Sequence, residues 1–170
     1  MKALVVYESM FGNTEKVARA IADGLSGMLD VTLADVGTMP RALDFDLLVI
    51  GGPTHAFGMS RPSTREQAAQ QAHVRPGATA VGVREYLDCS PQLAGLPAAA
   101  FDTKIDKPLL PGSARRIQRR LRRLGCRIVQ PARSFLVGGT TGPLGGQEPE
   151  TARQWGTALA AALTADRHTV

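Results

Sequence analysis

Cysteine is scarce in this chain. Cys89 and Cys126 are the only two, and neither stands in a CxxC or His-paired spacing. A disulfide framework is excluded, a cysteine-built metal site has no support, and two isolated thiols suit buried packing in a reducing cytoplasm. Long hydrophobic runs are missing too. The first, Ala3 to Tyr7, stops at Glu8, too short for a signal peptide, and nothing later approaches the roughly 18 residues that cross a bilayer. Membrane insertion is therefore not expected. No Ser/His/Asp or Cys/His catalytic constellation can be picked out, and no metal is predicted.

What is present describes an ordinary folded domain. The chain has 170 residues, 44% of them hydrophobic and 21% charged, enough to bury one core without metal or disulfide. A single domain over 1–165 with a short tail at 166–170 is expected. Net charge is +5, and the stretch from Ser113 to Arg127 alone carries seven arginines. Within it Ile117, Leu121 and Leu124 recur at i, i+4, i+7. That spacing predicts a helix over 113–124, capped by Ser113, with one buried stripe and arginine elsewhere. Such a face is either simply solvated or a docking surface for anions.

Apolar runs alternate with helical periodicity along the whole chain. Residues 3–7 read as a strand buried on both faces. Val17, Ile21, Leu25 and Met28 then mark a helix from Asn13. Further strands are expected at Val31–Val36, at Leu47–Ile50 with a sharp break at Gly51-Gly52-Pro53, and at Pro97–Asp102. A fifth, Arg127–Val129 with Ser134–Val137, is interrupted near Pro131 and belongs at an edge. Helices are expected over Pro62–His73, capped by Ser60 or Ser63, over Val81–Leu87, and from Glu148, where Trp155, Leu159 and Leu163 share a core face. The alternation gives an α/β domain with a parallel sheet and helices on both faces. Ligands of such sheets bind beyond the C-terminal strand ends, which here selects loops 8–14, 51–60 and 101–107.

The first of these loops turns from strand to helix through Ser9, Met10, Phe11, Gly12, Asn13 and Thr14, with no cation. A helix opening near Asn13 presents free N–H groups and a dipole end equivalent to about half a positive charge. Hydroxyls of Ser9 and Thr14, the Asn13 amide and the bare backbone at Gly12 complete a set of donors able to hold a phosphate dianion. The same residues would also serve as plain helix caps. The loop lacks the lysine of G-x-x-x-x-G-K-[ST] and the glycines of G-x-G-x-x-G, so neither a nucleoside triphosphate nor a Rossmann dinucleotide is the natural ligand. The later run Gly138 to Gly146 precedes Glu148 and Glu150, whose carboxylates would repel phosphate, and reads as a flexible connection.

The segments YESMFGNTEKVA (7–18), GGPTHAFGM (51–59) and AFDTKIDKP (100–108) resemble the three flavin mononucleotide (FMN) loops of the flavodoxin family, and the order of elements resembles it over nearly the whole chain. The resemblance implies a doubly wound five-stranded sheet ordered 2-1-3-4-5, of the short-chain form, with FMN as cofactor. Its phosphate would lie on residues 9–14 and its ring system between Pro53, Thr54, His55, Phe57 and Gly58 on one side and Phe101, Asp102, Thr103 and Lys104 on the other. Phe57 would stack on the flavin, and a glycine peptide such as that of Gly58 reorients on reduction in the family. Flavodoxins are typically acidic and carry tyrosine or tryptophan at the flavin; this chain is basic and has neither there. Lys104 or Lys107 near the ring would stabilise the reduced flavin anion and make the second couple less reducing.

Three functions follow. The first is an FMN electron-transfer protein serving a redox protein partner or small electron acceptor, the partner acidic at its docking face. The second is an FMN-dependent oxidoreductase of quinone-reductase or protoporphyrinogen-oxidase type, with His55 as its one candidate proton relay. The third is a cofactor-free binding module using the basic helix for nucleic acid or acidic partners; it ranks last because the first loop keeps its hydroxyls and glycine, and nucleic acid is not the expected partner.

Overall fold

The computed structural model describes residues 1–56 and 58–167. Phe57 and part of the expected tail, residues 168–170, lie outside the described residues.

Among the described residues, six strands and five α-helices follow one another. They are β1 (Lys2–Tyr7), α1 (Asn13–Ser26), β2 (Asp30–Asp35), β3 (Leu47–Pro53), α2 (Pro62–Gln71), α3 (Val83–Cys89), β4 (Pro97–Ile105), α4 (Ala114–Arg123), β5 (Arg127–Ile128), β6 (Arg133–Val137) and α5 (Glu148–Arg167). All pairings between these strands are parallel, in the order β2-β1-β3-β4-β5, with β6 also on β4. The interrupted fifth strand is thus split in two. Arg127 and Ile128 pair with Pro97 and Ala98, and Arg133–Val137 pair with Phe101–Ile105.

The central strands show why the sheet is covered on both faces. Along β1, Ala3, Val5 and Tyr7 enter one core with Ile21, Leu25, Trp155, Leu159 and Leu163, while Leu4 and Val6 enter the other with Tyr86, Leu87, Ile117 and Leu121. Period two along the strand therefore feeds two cores, one under α1 and α5, the other under α3 and α4. Trp155 is core, edge-on to Phe135 at a ring separation of 6.1 Å. Helices α1 and α5 approach closely because Gly24 and Gly156 lack side chains. A Cβ at Gly156 would overlap the Ile21 carbonyl, and one at Gly24 the Arg153 carbonyl. Backbone cannot give way as a side-chain tip can, so Gly156→Ala is expected to cost about 1–3 kcal/mol or more, read as a lower urea midpoint at unchanged slope.

Several boundaries differ from expectation, each for a packing reason. β3 continues through Gly51-Gly52-Pro53 instead of breaking there, since those residues pair with Phe101, Asp102 and Thr103 of β4. The Phe101 ring occupies the space where a Gly51 side chain would stand. β4 likewise runs to Ile105, so Phe101 to Lys104 are strand rather than loop. α2 ends at Gln71 and α3 starts at Val83. The cap of α2 is neither Ser60 nor Ser63: the Thr64 hydroxyl accepts the Arg61 N–H at 2.9 Å. Ser113 occupies the cap position of α4 but its side chain makes no cap bond; the Asp102 carboxylate accepts the Ala114 N–H at 2.7 Å instead. Cys126 is buried as expected, whereas Cys89, at the end of α3, is exposed. No helix among the described residues is long and apolar enough to cross a membrane.

Candidate functional site

A cleft of about 360 Å³ opens beyond the C-terminal ends of β1, β3, β4 and β6, within the usual range for a small-molecule site. Ser9, Met10, Phe11, Asn13 and Thr14 from the first loop, Pro53, Thr54 and His55 from the second, and Thr103 and Lys104 from β4 line it together. Gly12, Gly58, Phe101 and Asp102 do not. Gly12 shapes the loop from behind, at φ 94, a left-handed conformation that is cheap for glycine. Phe101 is wholly buried in the core, edge-on to Phe135. Asp102 points beneath the cleft into the cap of α4, its carboxyl pushed up by burial while the Ala114 N–H draws it down. Gly58 closes a tight hairpin with His55 through reciprocal backbone bonds of 2.8 Å.

The first loop presents unsatisfied hydrogen-bond donors at the cleft. Lys16 N–H closes the first turn of α1 on Gly12, which leaves the amides of Asn13, Thr14 and Glu15 without intrahelical acceptors. Ser9 Oγ accepts the Gly12 N–H at 3.1 Å, so its own proton remains to be donated. Thr14 and Thr103 share one hydrogen bond of 2.8 Å, and the hydroxyl proton not used in it is likewise available. Glu15, in the first turn, would oppose an anion, but Arg19 and Arg75 pair with it at 2.7 and 3.0 Å. Asn13 acts on the neighbouring wall. Its amide donates to the Thr141 carbonyl at 3.0 Å and pins the glycine-rich segment over the cleft, where Gly139 and Thr140 form part of the lining.

The remaining walls come from residues that sequence reasoning did not select. Thr64, Gln67, Ala68 and Gln71 of α2 face the cleft at helical spacing i, i+3, i+4, i+7. Mixed hydroxyl, amide and methyl groups carry no hydrophobic period, so this face has no pattern to read. Gly139 and Thr140 were detectable in principle, because they follow a strand that ends on the same edge as the other loops. Lys104 is half-buried, its ammonium donating to the Leu110 carbonyl at 3.3 Å, while Lys107 is exposed and off the cleft.

His55 Nδ1 lies 3.2 Å from the Thr64 hydroxyl. Burial, and secondarily the charge of Arg65, hold its imidazole below the ordinary histidine range. The ring is therefore neutral at pH 7. Its contribution to stability is present above the ordinary value of about 6.5 and is lost as pH falls through the lowered one. An NMR titration of the His55 ring should give a midpoint below about 6.5; a midpoint at or above that value contradicts this placement.

Behind the second loop lies a buried polar cluster. The wholly buried Arg65 donates to Ser60 Oγ at 2.8 Å and the Thr79 carbonyl at 3.1 Å and pairs with Glu85 at 3.1 Å. Ser60 Oγ donates to Glu8, which also accepts the Val83 N–H at 2.8 Å. Glu8 immediately precedes the anion loop, so the cluster ties that loop to residues 59–60 and to α2 and α3. Among the described residues no group of three or more His, Cys, Asp or Glu could hold a metal ion.

The sequence profile of the family described as Flavodoxin matches residues 5–155. Among solved structures, a flavodoxin from the domain Archaea is 21% identical, with 96% of this chain and 99% of that one covered at a TM-score of 0.68. Flavodoxin 1 from Bacillus cereus is 20% identical, with 97% and 98% covered at 0.68. A WrbA-like flavodoxin from Agrobacterium tumefaciens is 16% identical, with 96% and 98% covered at 0.63. No curated protein matches the chain.

Proposed function

Because the chain belongs to the flavodoxin family, we propose that the cleft binds FMN and that the protein is an electron-transfer flavoprotein. The observation that carries this reading is the anion site at the mouth of the cleft: free amides at the N-terminus of α1 with the hydroxyls of Ser9 and Thr14, in a loop whose one acid is already paired. A phosphate ester is the ligand group such donors suit. Behind it, Met10, Pro53, Thr54, His55 and Thr103 offer a largely apolar slot with a few polar edges, the usual character of a cofactor site.

Bound FMN supplies reversible uptake of electrons; the protein supplies anchoring, orientation and electrostatics. The N-terminus of α1 fixes the phosphate end. The walls from α2 and from residues 139–140 exclude water. Lys104, held against Leu110, places positive charge at the cleft wall, which favours a reduced, negatively charged cofactor. His55 is the one titratable ring in the cleft and, being neutral, can accept a proton at pH 7.

The test is the visible absorbance of the purified protein, before and after dithionite. A flavin spectrum that bleaches on reduction is expected. Colourless protein that stays so after incubation with FMN contradicts the reading. His55→Asn with unchanged steady-state quinone reduction would remove His55 from any enzymatic alternative.

A further inference from the structure

Loop residues 58–61 lie between two cleft-lining segments, 53–56 and 64–71, and arginines from three separate elements gather round them. Arg84 of α3 donates to the carbonyls of Ser60 and Met59, both at 3.2 Å. Arg116 of α4 lays its side chain against Gly58, whose added Cβ would stand 3.1 to 3.3 Å from the Arg116 Cδ, Nε and Cζ. Arg61 ends the turn and is exposed, as is Arg116. Arg120 completes the group from the next turn of α4.

The carboxylates of this region are already committed. Glu85 pairs with the buried Arg65, Asp88 with Arg120. Among the described residues no acid lies within ion-pair reach of Arg61, Arg84 or Arg116. Elsewhere among the described residues some arginines are paired, Arg19 with Glu15, Arg127 with Asp166 and Arg153 with Glu150, and others such as Arg122 and Arg123 are not. What sets the rim apart is that its three unpaired arginines, from separate elements, meet round one turn beside the cleft. Burial, with the charges of Arg61, Arg120 and Arg116, holds the Arg84 guanidinium below its ordinary range. Positive charge is concentrated here and the charge of Glu85 offsets it only in part, so a partner's carboxylates would find uncompensated guanidinium groups.

We propose that Arg61, Arg84 and Arg116, around the 58–61 turn, form a docking surface for an acidic protein. Its carboxylates would meet these guanidinium groups at the rim of the cleft. That this partner exchanges electrons rests on the FMN reading; the docking surface itself does not. A small anion is the poorer fit, since these side chains do not converge on a pocket and none of the three lines the cleft. Single-stranded nucleic acid is poorer still, because binding it draws on exposed aromatic rings. Among the described residues, tyrosines, tryptophan and phenylalanines are buried or half-buried.

The experiment measures binding of labelled poly-L-glutamate and of a duplex DNA to the full chain, at low and at physiological ionic strength. Three proteins are compared: the native chain, Arg61→Gln/Arg116→Gln at the rim, and Arg122→Gln/Arg123→Gln near the far end of α4. Both variants lose the same charge from exposed positions, and circular dichroism verifies that each is folded. Poly-L-glutamate should bind more weakly as salt rises, and the rim variant should lose about tenfold in affinity. The far-end variant should lose less than about threefold. Equal losses in both variants, or no binding at low salt, would overturn the proposal. DNA binding tighter than poly-L-glutamate would overturn it in favour of a nucleic-acid face. The measurement needs no flavin, so rim-dependent binding by a chain that never takes up FMN would uphold the docking surface while removing the redox role.

Discussion

Replacing Arg65 with methionine is expected to cost about 3–5 kcal/mol of folding stability, although Arg65 lies on a polar helix and contributes nothing to the hydrophobic cores. The side chain is wholly buried and is the cation against which Glu8 and Glu85 are set. Burial already pushes the Glu8 carboxyl above the ordinary glutamate range, with the Ser60 and Val83 hydrogen bonds and the charge of Arg65 drawing it back. Without Arg65 its share of that pull is lost, and the carboxylate stays buried with only the Ser60 and Val83 hydrogen bonds to offset the burial. A raised acid pKa in the folded state means that the protein loses stability as pH rises from the ordinary value through the raised one. The Glu8-linked deficit of Arg65→Met should therefore be least at or below about pH 4.5, where Glu8 is protonated folded and unfolded, and should grow as pH rises above that through the raised value. Adding Glu8→Gln should recover part of the loss, a non-additive result that identifies the charge, rather than lost packing, as the cause. Urea unfolding at two pH values measures all of this; equal and additive losses at both would refute it.

This cluster also shows where sequence ceases to be informative. The alternation of apolar runs with helical spacing was enough for the parallel α/β sheet and its covered faces, because period two and period 3.6 are set by backbone geometry alone. The strand order came with the family resemblance of the three loops. The donor-rich first loop was equally legible as a cleft wall, since its polar groups are contiguous from Ser9 to Thr14. Strand ends were not. Gly51-Gly52 looks like a break until the Phe101 ring is placed against Gly51, a contact between residues far apart in the chain that no local pattern records. The same applies to Phe101 and Asp102, which adjoin cleft residues in sequence yet point into the core and into the cap of α4. Arg65 carries no signal either: an arginine between Thr64 and Glu66 reads as solvent-facing, and only the partners brought in from the 59–60 segment and from α3 turn it inward.

The second large effect concerns the anion loop. Ser9→Ala combined with Thr14→Val is expected to weaken FMN binding on the order of 10²-fold, with little effect on riboflavin, which has the same ring system and no phosphate. Hydrogen bonds to a charged group contribute about 1.5–3 kcal/mol each, and both hydroxyls stand beside the open end of α1. Removing them also leaves the Gly12 N–H and the Thr103 hydroxyl without their present partners, so a modest stability loss is expected too. The riboflavin comparison separates the two consequences: a general distortion of the cleft weakens both ligands alike, whereas loss of phosphate donors weakens FMN alone.

The most direct measurement is a fluorescence titration of the cofactor-free native chain with FMN and with riboflavin, side by side in buffer without phosphate. An anchor built from the amides of Asn13, Thr14 and Glu15 and the two hydroxyls predicts that FMN binds at least about 10²-fold more tightly than riboflavin. Equal affinities for the two, or no binding of either, would contradict it.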